Sequence, residues 1–137
     1  MHNDQRRTGA AEPAIDAPPV RRFRDPSVAP MAASLGALRA RIDALDAQIV
    51  ALLAERGRCV RDATRFKRDP AQVSAPERQS QVFARVRGLA AAEAPEWAAL
   101  PDVVESAYRA LVAGFVAAEQ RFFAETEAIE PQQGTET

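Results

Sequence analysis

The sequence predicts an all-α fold of three helices per chain, the first of them very long. Apolar residues recur at alternating steps of three and four, and no segment shows the alternation of a β-strand. Prolines stand at the ends of the periodic stretches rather than inside them.

Each element follows from these signals. Ser34 is the expected N-cap of the first helix, whose stripe reads Leu35, Leu38, Ile42, Leu45, Ile49 and Leu52. The pattern continues to about Lys67, and Asp69-Pro70 ends it because proline disfavours helix in the residue before it. A helix of this length is roughly 50 Å long at ~1.5 Å per residue, more than a short domain covers, so it needs partner helices or a second chain. Residues 70–75 read as a loop. Pro76 opens a second helix carrying Val82, Phe83, Val86, Leu89 and Ala90. After a linker with Pro95 and Trp97, Pro101 and Asp102 open a third, with Val104, Tyr108, Leu111, Phe115 and Phe122 on one face. Residues 1–33 hold five of the ten prolines without apolar period and read as a flexible tail. The helical domain is expected over 34–123, and residues 124–137 read as an acidic tail.

Composition removes most chemistry. One cysteine, Cys59, excludes an intrachain disulfide framework and fits a reducing, cytoplasmic compartment. With a single histidine, His2, in the tail, no Cys/His metal cluster, Ser-His-Asp triad or Cys-His pair is expected. No apolar run reaches 18 residues, which argues against a membrane span. Arg21-Arg22-Phe23-Arg24 before Val28–Leu38 faintly resembles a signal peptide, but Pro26 and Pro30 and the scarcity of Leu and Ile speak against secretion. The formal net charge of -1 gives no global field for nucleic acid. The arginine-rich stretch from Ser34 to Arg68 suits a small anion better than a polymer.

The informative residues are charges on apolar seams. The first stripe, carried past Leu52, meets Arg56, then Val60, Ala63 and Lys67, the only lysine. In the third helix Glu119 stands between Phe115 and Phe122. Each has an ordinary reading beside the functional one. Arg56 snorkels or binds an anion; Lys67 answers a helix dipole or a ligand; Glu119 pairs with Arg121 or a neighbouring helix. Arg39 and Arg78 are plain surface residues or part of the same constellation. Arg56 and Lys67 lie about 16 Å apart along a helix, within reach of one small dianion, whereas Arg39 lies about 25 Å from Arg56. If Arg39 joins the site it must come from a second copy, through antiparallel long helices that give two equivalent sites.

Four segments then carry a resemblance: residues 38–46 (Leu-Arg-Ala-Arg-Ile-Asp-Ala-Leu-Asp), Leu53-Ala54-Glu55-Arg56, Arg65-Phe66-Lys67 and Ala75-Pro76-Glu77-Arg78, with the third helix to Glu119 following. Together, over about residues 34–123, they are similar to the all-helical (type II) chorismate mutases and the related isochorismate pyruvate lyases. The resemblance implies an intertwined homodimer that needs neither metal nor cofactor. Arg56 and the partner's Arg39 would take the carboxylates of a dianionic substrate, and Lys67 a carboxylate and the ether oxygen of the breaking bond. Arg78 would orient the substrate, and Glu119 would face the same oxygen. Two positions depart from the pattern. Mutases of the family often hold the ring hydroxyl with acids where this chain has Ala75 and Gln79, so only Gln79 is left for that role. The lyases also lack those acids, but place Gln where Glu119 stands. The balance favours the rearrangement of chorismate to prephenate, with the lyase reaction on isochorismate second; an amino analogue of chorismate stays open as substrate. A non-catalytic dimeric helical module is the rival of a different class, and the charges on its seams argue against it.

Overall fold

The computed structural model describes residues 11–130; His2 and the ends of both expected tails, residues 1–10 and 131–137, lie outside them. Among the described residues every regular element is helical. Helix α1 spans Leu35–Ala63, a 3-10 turn Thr64–Phe66, α2 Pro70–Ser74, α3 Pro76–Glu93 and α4 Leu100–Glu125. The chain divides into two compact units, one up to Leu53 and the other from Ala54 onward.

In the first unit Ser34 caps α1 as the sequence predicts, its Oγ accepting from the Ala37 N–H at 3.2 Å. The preceding chain is irregular and exposed. It touches α1 where Ile15 O accepts from Gly36 N–H at 3.0 Å, and Glu12 pairs with Arg39 at 2.6 Å. The α1 seam itself is uncovered: Ile42 and Ile49 are 54% and 51% exposed, and α1 contains no buried residue.

In the second unit α3 and α4 pack against one another and α2 packs on α4. Val86 and Ala90 of α3 and Val112 of α4 are buried, as is Val73 of α2. Leu89, placed on the α3 stripe by the sequence, faces solvent. The buried centre of α4 is Val112 and Glu119, two turns apart, with Tyr108, Phe115 and Phe122 half-buried. Arg87 bridges the α3–α4 hairpin to Asp102 at 2.8 Å, and the carboxylates of Asp102 and Glu105 raise its already high pKa. Arg109 lies 4.5 Å over the Phe83 ring.

Two expectations need correction. The α-helix stops at Ala63 rather than near Lys67, where the chain tightens into the 3-10 turn. Thr64, 2% exposed, turns its hydroxyl back to the Val60 carbonyl at 3.3 Å, a bond that competes with regular helix continuation. The expected 70–75 loop is instead helix α2. Its start was encoded: Asp69 accepts from the Gln72 N–H at 3.0 Å, and Pro70 occupies the first turn, where no N–H is needed.

Candidate active site

The last turns of α1 run close to α4, and any side chain at position 57 would have to displace the Phe115 ring. A Cβ there would lie 2.9 Å from Phe115 Cε1. This approach sets Arg56 over two aromatic rings, 5.2 Å from Phe115 and 5.9 Å from Tyr108. No carboxylate among the described residues pairs with Arg56, so its guanidinium is held by ring faces while its N–H donors stay available.

About two turns further, the 3-10 segment redirects the chain and leaves Lys67 extended, at φ -100° and ψ 137°. Its ammonium donates to the Gln72 carbonyl at 3.2 Å and lies 3.5 Å from Glu119 Oε1. Glu119 is 5% exposed, and that same Oε1 accepts no hydrogen bond. The pair is thus a buried carboxylate held by charge, with one acceptor unfilled. An ammonium has three donors; Gln72 takes one, and two remain for groups in the cavity.

Helix α2 and the start of α3 supply the facing wall. Ala75 joins them in the left-handed region, at φ 41° and ψ 62°, ending one helix and starting the next in a single residue. That conformation costs an L-residue with a Cβ about 1 kcal/mol, and Asn or Gly would be the usual choice. Gln79 reaches back to donate to the Ser74 carbonyl at 2.5 Å, leaving its side-chain oxygen as an acceptor.

These groups surround one cavity of about 320 Å³. Arg56, Lys67, Arg78, Gln79 and Glu119 all line it, with Val60, Ala63, Val82, Val112, Phe115 and Val116 as the apolar part. The sequence-predicted set therefore converges, with one exception. Arg39 is not among the lining residues and pairs with Glu12 instead. The lining also holds Ser74 and Cys59, to which the sequence assigns no role at a site, and Ala75, which the resemblance marks only as a position without the family's acid. Cys59 is three residues after Arg56, so it shares that face of α1, a signal that was available. No pattern in the sequence marks Ser74.

Three cations against one carboxylate leave the cavity with a formal charge of about +2, in walls that are mostly apolar. Such a site suits a small dianion with a nonpolar body. Among the described residues no group of His, Cys, Asp and Glu is placed to hold a metal ion. No helix there is long and apolar enough to cross a membrane.

The class is thus a helical domain whose cavity is lined by two arginines, a lysine and a buried glutamate. The family model for chorismate mutase type II matches residues 38–120, well over half the chain, and the protein belongs to that family. No individual curated protein matches it.

Proposed function

We propose that the protein is a chorismate mutase, converting chorismate to prephenate by intramolecular rearrangement in aromatic amino acid biosynthesis. The observation that carries this reading is the convergence of Arg56, Lys67, Arg78 and Glu119 on one apolar-walled cavity. The reaction is pericyclic, so it requires neither a nucleophile nor a base to abstract a proton. It requires the enolpyruvyl arm to be folded over the ring and the ether oxygen to be stabilised as its C–O bond lengthens.

Arg56 supplies a forked donor for one carboxylate, already oriented by Phe115 and Tyr108. Lys67 acts at the ether oxygen, which becomes more negative in the transition state than in the substrate, so its contact strengthens as the barrier is crossed. Arg78 and Gln79 orient the ring side. Glu119 as a carboxylate is acceptor-only, and by its charge it holds the Lys67 ammonium beside the position of the ether oxygen. Glu119→Gln, which takes the negative charge from beside Lys67 and puts an amide donor in its place, is accordingly expected to change kcat more than KM. An unchanged kcat in Glu119→Gln would exclude this role.

The second carboxylate needs another cation, and we assign it to Arg39 of a second copy. The support is the uncovered apolar seam of α1 from Ile42 to Leu52, which a partner's α1 would bury. On arrival the substrate competes with Glu12 for that guanidinium. A mixture of Arg39→Ala and Lys67→Ala chains tests the shared site. Each variant alone is inactive on chorismate. Random mixed dimers regain one intact site in two, about a quarter of the wild-type rate overall. No recovery on mixing would refute the shared site.

Isochorismate pyruvate lyase activity is the second reading, favoured by one observation: Glu119 is the only carboxylate in the cavity lining, so no acid stands at Ala75 or Gln79. The single free cysteine, exposed on α1, accords with a reducing cytoplasm.

A further inference from the structure

We propose that Gln120 is a positioning residue that holds Lys67 in its reactive place through α2. This rests on the role given to Lys67 above. Gln120 follows Glu119 on α4, and its side-chain amide nitrogen donates to the Pro70 carbonyl at 3.0 Å and to Ser74 Oγ at 3.3 Å. Pro70 and Ser74 are the first and last residues of α2, so one amide group ties both ends of that helix to α4.

A five-residue helix does not stand by itself, since a single turn orders several residues for few hydrogen bonds. Yet α2 carries what the cavity needs. The Gln72 carbonyl receives the Lys67 ammonium, and the Gln72 side chain accepts from the Arg68 N–H at 2.6 Å, fixing the turn that follows Lys67. Ser74 and Ala75 form the wall itself. Ser74 is gripped twice, its hydroxyl by Gln120 and its carbonyl by Gln79. The strained Ala75 comes next, a conformation that persists only where its surroundings enforce it. Adjacent residues of α4 thus hold Lys67 from two sides, Glu119 by charge and Gln120 through α2.

The decisive variant is Gln120→Leu, close in volume but without a donor. Because Lys67 should act more strongly in the transition state than in the ground state, kcat is expected to fall about tenfold or more with KM changed less than about twofold. Ser74→Ala, which removes one of the two acceptors, should give a smaller loss. The double variant should be no worse than Gln120→Leu alone, because both changes cut one tether. A readout independent of turnover comes from Lys67 being the only lysine: reductive 13C-methylation labels one side chain besides the chain terminus. Its resonance in Gln120→Leu should move toward that of a solvated lysine. Wild-type kcat in Gln120→Leu, or additive losses in the double variant, would overturn the proposal. If the wild-type protein turns over neither chorismate nor isochorismate, the functional reading fails instead. The labelled resonance then decides the tether, and an unmoved signal overturns it. Should Gln120→Leu fail to fold, Ser74→Ala carries the same kinetic and spectroscopic test.

Discussion

Replacing Lys67 with alanine should damage the protein twice, and the two injuries can be separated. The first is to stability. Glu119 is 5% exposed and its Oε1 has no hydrogen bond, so the ammonium 3.5 Å away is its principal compensation. Deleting one partner of a buried pair commonly costs about 3–5 kcal/mol. Here the ammonium side is partly reached by solvent, the lysine side chain being 23% exposed, so roughly 2–3 kcal/mol is the better figure. For a domain of this size that lowers Tm by on the order of 10 °C. The second injury is to catalysis: losing one donor to a developing negative oxygen typically reduces kcat by about 10²–10³. The double variant Lys67→Ala/Glu119→Gln removes the orphaned charge. Thermal unfolding should recover most of the lost Tm in the double variant, while chorismate turnover stays at the level of the single variant or below. Recovery of activity along with stability would show that Lys67 serves the fold and not the reaction. An unchanged Tm in Lys67→Ala would show that the buried pair contributes nothing.

Other substitutions probe the remaining walls. Gly57→Ala puts a Cβ into the Phe115 ring, and overpacking of about 1–3 kcal/mol should outweigh the gain of up to about 1 kcal/mol in helix propensity, giving a lower Tm by calorimetry and a raised KM. Ala75→Gly relieves the left-handed strain and should stabilise the chain by up to about 1 kcal/mol in urea denaturation, whereas Ala75→Val should destabilise it. Arg56→Lys keeps the charge but loses the planar fork that lies over Phe115 and Tyr108, so KM should rise about tenfold or more in steady-state assays.

How much of this was legible beforehand depended on the range of the interaction. Ser34, Pro76 and the 3.5-residue stripe of α1 are local signals, and the helices they announce are present. Arg56, Lys67 and Glu119 were conspicuous because each is a charge on an apolar seam, and they meet in one cavity. The Asp69-Pro70-Ala71-Gln72 start of α2 was equally local but was outweighed by reading the proline only as a stop. What the sequence could not show is how α4 tethers α2: the Gln120 to Pro70 bond joins residues 50 apart, and nothing about a glutamine on a helix distinguishes it. The early end of α1 turns on Thr64, whose back-bond to Val60 competes with the helix in a way that periodicity does not register. Arg39 illustrates the opposite limit. Its distance along α1 predicted that one chain would not bring it to the cavity, and in a single chain its partner is Glu12.

The most direct test supplies the purified protein with chorismate and isochorismate in separate reactions and identifies the products. Prephenate from chorismate, with activity lost in Lys67→Ala, is the predicted result. Salicylate and pyruvate from isochorismate with only sluggish chorismate turnover would contradict the mutase assignment while keeping the site, and no product from either would contradict both.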